Sequence, residues 1–590
     1  MSRARMESAQ RARRQRQNDR PGASLLAAGR LLAGGFLASL AACGGSEEPG
    51  GGPDAPQGSG ERPGAPEPSA ALAFVDATAD SGIDFRITAG ADPPRQILEV
   101  KGGGCALFDL ENDGDLDVFF PNGSTLDSPG RGPGARLYAN QGEARFADRS
   151  AELELDFDRW GQGVAVGDAN GDGFDDLYVT AFGANALLWN RDGLRLESSA
   201  QAAGSEEEWS TGCAFGDLDR DGDLDLYVVN YLEFDPEQPP EPTSYFEVPV
   251  FRGPMTLTAQ ADRAWENDGS GGFRERTEAW GMRAVTPSYG LGAVVVDLDL
   301  DGWQDVFVGN DSMPNFVFQG SEQGFSDASS SSGLASNQDG QNQATMGIAL
   351  GDLNEDGAPD VFTTNFERDT NTLHLSRSGM RFRDRTGPHG LGAPSKMSLG
   401  WSAGFQDFDH DGDEDLLVFN GHVYGADIAS QLEARRAQAP LLFERSGARF
   451  EPVGGPEHGA WLSEAHVDRG AAFGDLDRDG DVDVVVTAMD SPVRVLENVG
   501  ASGPWLVVAL SDSTGANPRG LGARLRIQSG ELVQTRWILS GTSFLSASAA
   551  EAHCGFPAGS PPASVEVHWP DGTITLRSGV SLSQRLVIER

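Results

Sequence analysis

One nine-residue pattern, Asp-x-(Asp/Asn/Glu)-x-Asp-Gly-x-x-Asp, recurs seven times, beginning at Asp109, Asp168, Asp217, Asp297, Asp352, Asp407 and Asp475. The copies are 59, 49, 80, 55, 55 and 68 residues apart, close to the length of a four-stranded propeller blade and far longer than a hairpin. Two residues before each first Asp stands an apolar side chain: Leu107, Val166, Phe215, Val295, Leu350, Phe405 and Phe473. After each last Asp comes a short apolar run such as Val118-Phe119-Phe120 or Val306-Phe307-Val308, the signature of a strand buried on both faces. Each loop therefore joins two core strands, and the pattern predicts an all-β chain built on a seven-bladed β-propeller. A second phrase, Phe-x-Asp-x-Thr/Ser, closes most blades, as at Phe146 to Ser150 and Phe382 to Thr386, and it also opens the fold at Phe74 to Thr78. The N-terminal strand is thus expected to complete the last blade and close the ring.

The spacing also carries chemistry. Oxygens at positions 1, 3, 5 and 9 converge on one point, and Gly at position 6 permits the sharp turn. The candidate ligands are Asp109, Glu111, Asp113 and Asp117 in the first loop, and Asp168, Asn170, Asp172 and Asp176 in the second. The third has Asp217, Asp219, Asp221 and Asp225; the fourth has Asp297, Asp299, Asp301 and Asp305. The fifth has Asp352, Asn354, Asp356 and Asp360; the sixth has Asp407, Asp409, Asp411 and Asp415; the seventh has Asp475, Asp477, Asp479 and Asp483. An all-oxygen set without His or Cys suits Ca²⁺ and not Zn²⁺, which predicts up to seven structural calcium ions. An EF-hand would need Glu at position 12, where these loops place Phe120, Val179, Val228, Val308, Thr363, Val418 and Val486. Glu111, Asn170 and Asn354 depart from Asp at position 3, so their three loops are expected to bind more weakly.

The first 42 residues hold eight Arg and two acids, and their removal would take the formal charge from -44 to -50. A chain so acidic repels nucleic acid phosphates and anionic lipid. Seven of those Arg lie in residues 1–20, and Leu31 to Ala42 is then a 12-residue apolar run, which is signal-peptide architecture and too short to span a bilayer. Leu40-Ala41-Ala42-Cys43 resembles a bacterial lipobox, which implies cleavage before Cys43, lipidation of its thiol and a membrane link through that lipid alone. The expected organisation is a lipoprotein-type signal peptide (1–42), a Gly/Pro-rich tether (43–70), the propeller (71–502) and a small all-β domain (503–590).

The loops and their flanks resemble the FG-GAP repeats of integrin α-chains, and more closely those of the cartilage acidic protein family. Gly309-Asn310-Asp311, Thr364-Asn365-Phe366, Leu399-Gly400-Trp401, Asn420-Gly421-His422 and Arg469-Gly470-Ala471 carry that likeness. From Asn517, through Gly541-Thr542-Ser543-Phe544-Leu545, to His568-Trp569-Pro570-Asp571-Gly572, the chain resembles the ASPIC/UnbV domain. The resemblance implies a calcium-bearing propeller with an extracytoplasmic binding role, and it implies no reaction. A Cys pair usual after the third loop is absent, and His553-Cys554-Gly555-Phe556 replaces a more usual Phe-Gly-Leu-Gly.

Outside the loops, Cys105 and Cys213 occupy positions filled by Val164, Ala293, Ile348, Ala403 and Ala471 in other blades, so they read as buried, inert thiols. His422 reads as a turn histidine bonded to backbone, and His410, at a non-ligand loop position, as exposed. Two insertions are candidate partner surfaces: Glu233 to Pro254, with Tyr245, Phe246 and Phe251, and a short helix over 427–438 with Ile428 and Leu432 facing inward. These features point to a calcium-rigidified, envelope-anchored scaffold of adhesion type that binds a protein or polysaccharide and not nucleic acid. No catalytic residue stands out; the alternative is a polysaccharide-active envelope enzyme or biosynthetic accessory factor that uses the propeller channel or face.

Overall fold

A computed structural model describes residues 72–199, 208–284, 286–513 and 515–590. The expected signal peptide (1–42), Cys43 and the expected tether (43–70) lie outside the described residues. Seven four-stranded antiparallel sheets are the seven blades: five are meanders of consecutive strands, the third is interrupted by a two-stranded hairpin, and the seventh takes its outer strand from the N-terminal end of the fold. Blade 1 comprises Ala106–Phe108, Asp117–Phe120, Arg136–Asn140 and Phe146–Asp148, and blade 4 comprises Gly290–Val296, Asp305–Asn310, Phe316–Gln319 and Ser326–Asp327. The second strands are buried almost throughout: Asp305–Asn310 and Asp415–Asn420 are buried along their whole length. Burial on both faces is what their unbroken apolar runs demand.

Side chains pack between blades. Leu107 and Val118 of blade 1 share a cluster with Ala472, Val485 and Val495 of blade 7, so the last blade packs against the first. The closing strand is Phe74–Asp76, paired antiparallel with Arg494–Asn498 in the register Phe74 to Asn498, Val75 to Glu497 and Asp76 to Leu496. The Thr78 hydroxyl accepts the Val495 amide at 3.0 Å, the bond that Ser150 makes to Leu137 in blade 1 and Thr386 to Leu373 in blade 5. The recurring Phe-x-Asp-x-Thr/Ser phrase is therefore a fourth-strand latch, and its N-terminal copy closes the ring.

The C-terminal region folds as a three-stranded sheet, with Trp505–Ser511 between Glu551–Gly555 and Gln584–Glu589, and a four-stranded sheet of Leu532–Trp537, Arg524–Ser529, Ala563–His568 and Ile574–Val580. Leu506, Val508, Leu525 and Val565 share one core with Tyr178 and Phe215 of blades 2 and 3. Between these sheets, residues 540–549 leave the domain and enter the ring. The segment bonds to the inner strands of six blades: Ala547 exchanges bonds with Cys105 and Leu107, Leu545 and Ser540 accept from Val164 and Val166, and Ser540 pairs with Phe215. Ser543 pairs with Ile348 and its hydroxyl accepts from Ala403, while the Ser548 hydroxyl accepts from Phe473. Contact with so many inner strands places the segment on the propeller axis. Gly104 allows it in, since a Cβ there would lie 1.6 Å from the Leu545 carbonyl oxygen. At its tip Phe544 is fully buried, its ring 4.7 Å from that of Trp401.

Candidate metal centres on one face of the ring

All seven loops share one backbone. Gly114, Gly173, Gly222, Gly302, Gly357, Gly412 and Gly480 at position 6 have φ between 81° and 101°, the conformation for which glycine was expected there. Position 4 is also left-handed in every loop, although only the second loop has glycine there: Asn112, Arg220, Leu300, Glu355, His410 and Arg478 have φ between 58° and 66°. A left-handed non-glycine residue costs about 1–2 kcal/mol. The loops hold this strain because backbone amides aim their carboxylates. One oxygen of each position-1 Asp accepts the position-6 amide, as from Gly302 to Asp297 at 2.9 Å, and position 5 accepts from position 7, as from Trp303 to Asp301 at 2.9 Å.

Position 9 has a second role that its spacing does not disclose. In every loop its two oxygens accept two backbone amides, one from loop position 2 and one from the end of the third strand. Asp305 accepts from Leu298 and Gly320, both at 2.8 Å, and Asp117 from Leu110 and Asn140, both at 2.8 Å. Asp176, Asp225, Asp360, Asp415 and Asp483 repeat the pair. The side-chain amides of Asn140, Asn190, Asn267 and Asn498 then donate to the position-2 carbonyl of the preceding blade at 2.7–2.8 Å. Loop, blade and neighbouring blade are thus fastened at one point.

The loops differ in how their carboxylates gather. Asp217, Asp219 and Asp225 bring one oxygen each within 4.8 Å of one another, as do Asp297, Asp299 and Asp305, Asp407, Asp409 and Asp411, and Asp475, Asp477 and Asp483. Among the described residues no such triad forms in the other three loops, the ones with a departure at position 3. Glu111 turns to Arg149 at 3.0 Å. The amide nitrogens of Asn170 and Asn354 donate to Asp176 and Asp360, both at 3.2 Å, and the Ser376 hydroxyl donates to Asp356 at 2.9 Å.

The charge of the triads is not balanced within the protein. Burial, with neighbouring carboxylates adding to it, pushes Asp217 and Asp297 up to about 6 and Asp475 up to about 7. Buried oxygens of Asp217, Asp352 and Asp475 have no hydrogen-bond partner. Hard, anionic, partnerless oxygens at this density fit a divalent cation such as Ca²⁺. Position 7, left out of the expected ligand set, adds carboxylates in four loops; burial raises Asp223 and Asp413 to about 7 and Asp481 to about 8.

The C-terminal domain covers this face and brings three arginines to it. Arg519 pairs with Asp175 at 3.1 Å, Arg524 donates to the Gly357 carbonyl at 3.1 Å, and Arg536 lies 3.4 Å from Glu414. Two of these three lie in the Asn517-Pro-Arg-Gly-Leu-Gly-Ala-Arg motif, whose spacing gives no sign that they serve the propeller loops. This docking overturns one expectation: His410 is 2% exposed, not solvent-facing. Its ring packs on His553 at 5.2 Å, and Nδ1 lies 3.1 Å from the Gly503 carbonyl oxygen.

The thiols of Cys105, Cys213 and Cys554 are free and buried, and burial raises all three, Cys105 and Cys554 to about 12. His422 is buried and Nδ1 accepts the Tyr424 amide at 3.1 Å, a backbone bond of the kind expected of it. The helix expected over 427–438 spans Ala426–Gln431, stopping before Glu433 at φ 60°. Leu432 is buried and Ile428 partly so, in one cluster with Val250 and Phe251 of the other insertion. The two insertions therefore meet, opposite the metal loops.

Residues 109–179, 169–228, 297–363 and 352–418 match the family described as FG-GAP-like repeat, and residues 513–590 match ASPIC and UnbV. Cartilage acidic protein 1 of Mus musculus is 31% identical over 307 residues, 48% of this chain and 42% of that protein. The Homo sapiens protein is 31% identical over 305 residues, covering 48% and 41%. The chain thus spans less than half the length of the relatives it matches. A solved Agrocybe aegerita lectin aligns with 68% of this chain and 95% of its own at a TM-score of 0.40 and 13% identity, too distant to inform on ligands.

Proposed function

From a chain that carries FG-GAP-like repeats and a C-terminal ASPIC and UnbV segment, we propose an exported, lipid-anchored scaffold of adhesion type, stiffened by calcium, that binds a protein or polysaccharide at the cell envelope. The observation that carries this reading is the set of four carboxylate triads, two of them with an unpartnered buried oxygen, built on the strands that form the ring. When bound, Ca²⁺ would supply the positive charge these loops lack. Asp217, Asp219 and Asp225, with their counterparts in the other loops, would hold it, and their backbone bonds would pass its constraint to the blades.

The axis, where a reaction chamber would be sought, is occupied by residues 540–549. That leaves the face built by the two insertions for a partner. No helix of the described residues is long and apolar enough to cross a membrane. Export rests on the Arg-rich, apolar N-terminus, and anchoring on Cys43. The test is bound calcium per full-length chain, with melting before and after chelation. Four to seven ions and a reversible loss of stability are expected, since a site held at 100 times its dissociation constant contributes about 2.7 kcal/mol. One ion or none with unchanged melting sinks the calcium scaffold. Conversion of any polysaccharide in a panel, abolished by a substitution outside the loops, would establish the enzyme alternative instead.

A further inference from the structure

The second strand of each blade runs from its metal loop to the opposite face, and residues just past the ends of those strands converge there. Tyr231 comes directly after Asn230, Asp311 directly after Asn310, Glu367 lies four residues past Thr363, and Tyr424 four residues past Asn420. With Lys101, which precedes the first strand of blade 1, they surround a cavity of ≈ 600 Å³ over the axis. The hairpin Thr243–Tyr245 and Val248–Val250 and the segment after it wall one side, where the Phe251 and Tyr424 rings lie 5.0 Å apart.

The polar groups alternate in sign and role. Lys101 Nζ donates to the Tyr231 hydroxyl at 3.1 Å and sits 4.2 Å over its ring; that hydroxyl donates to Asp311 at 2.7 Å. Across the cavity Glu367 is 4% exposed; its Oε1 has no hydrogen-bond partner, with Arg368 Nε 3.6 Å away, and its Oε2 lies 3.5 Å from His422 Nε2. Because Nδ1 accepts a backbone amide, the His422 proton sits on Nε2. Oε2 thus faces that proton, while the buried Oε1 is left without a hydrogen-bond donor, a costly arrangement unless a ligand or water completes it. Lys101 and Arg368 oppose Asp311, Glu367 and Asp369, a near balance that favours neither a polyanion nor a polycation.

We propose that this cavity binds the neutral terminal unit of a glycan, one or two sugar rings, with Glu367 accepting from a hydroxyl and Tyr245, Phe251 and Tyr424 packing on the C–H faces of the ring. A hydroxyl both gives and takes a hydrogen bond, so vicinal hydroxyls suit alternating donors and acceptors. Sugar rings also present apolar faces to aromatic side chains, and the volume lies within the usual range of ligand pockets. The proposal deepens the partner-binding reading and rests on it.

The experiment is retention of the full-length, calcium-loaded protein on an immobilised glycan library with neutral, uronic-acid and sialylated termini, then calorimetric titration with the best-retained neutral disaccharide. Glu367→Gln and the hairpin variant Tyr245→Ala are each expected to weaken that binding about tenfold or more, the scale of losing one buried polar partner or one stacking face. Melting and calcium content are expected to stay unchanged. Retention only by acidic termini, by none, or by neutral ones with both variants binding as tightly as the unmodified chain would overturn the proposal. Calcium counted in the same samples reads the scaffold separately, so its loss would be distinguishable from a wrong ligand class.

Discussion

Asp299 and Asp305 belong to one loop and have different work. Asp305 fastens the Leu298 and Gly320 amides, so Asp305→Ala strands two buried donors at roughly 1–3 kcal/mol each. A loss of about 2–5 kcal/mol is expected in urea melts, and it should persist in chelator. Asp299→Ala, which frees only the Gln319 side-chain amide and the exposed Asp301 amide, is expected to cost much less in chelator and to show most of its loss only when calcium is present. Equal losses for both in chelator would contradict the assignment. The position-1 carboxyls set the pH response. In the chelated protein they bind protons more tightly folded than unfolded, since burial lifts Asp217 and Asp297 from 3.8 to about 6 and Asp475 to about 7. Their effect favours the folded chain at low pH and is lost as pH rises through those values. The chelated protein should melt higher at about pH 5.5 than at about pH 8, while calcium affinity should fall on the same acidification. Parallel pH trends for the two quantities would refute this.

The repeated element is the most legible part of the molecule. Spacing and apolar flanks disclose the blades, and the Phe-x-Asp-x-Thr/Ser phrase discloses the ring closure, because a hydroxyl two residues past an Asp makes the same latch wherever it occurs. Position 9 reads in the sequence only as a ligand: a residue that chelates and one that caps backbone amides are spelled with the same Asp. The burial of His410 is hidden because it comes from a domain that begins some 90 residues further on. The unlike loops can be ranked by chelator titration. The loops at Asp109, Asp168 and Asp352 should empty before the four with triads, and Asn354→Asp should move the fifth loop later. Emptying of the Asp217 loop before the Asp352 loop would reverse the ranking. At the closure, Phe74 is 3% exposed and meets Phe408 edge-on at 5.2 Å, so Phe74→Ala is expected to cost about 3–5 kcal/mol, read by urea unfolding.

For the whole molecule, propeller and C-terminal domain are one compact unit of residues 66–590. Neither part is a bystander: the domain covers the metal loops with Arg519, Arg524 and Arg536, and its segment 540–549 fills the axis. None of this is visible in the sequence, since Gly541-Thr542-Ser543-Phe544-Leu545 is too short to disclose six partners scattered from Cys105 to Phe473. Phe544→Ala is expected to lower stability by about 3–5 kcal/mol and to leave one cooperative unfolding transition. Two separated transitions would mean that the domain and the ring stand independently.

That bung also fixes an order of assembly. The strand Phe74–Asp76 cannot pair until Arg494–Asn498 exists, and the bore cannot be stopped until Ala549 has been made, so the ring is completed by its first strand and by a segment made after all seven blades. Contacts this distant in sequence make folding slow. A chain cut short just after Asn498 would close its ring around an open bore, with Trp401 and the inner strands bared to solvent, and an apolar hollow of that kind invites association with other copies. Segment 540–549 therefore covers apolar surface left by the blades made before it, and it stays in place as part of the product.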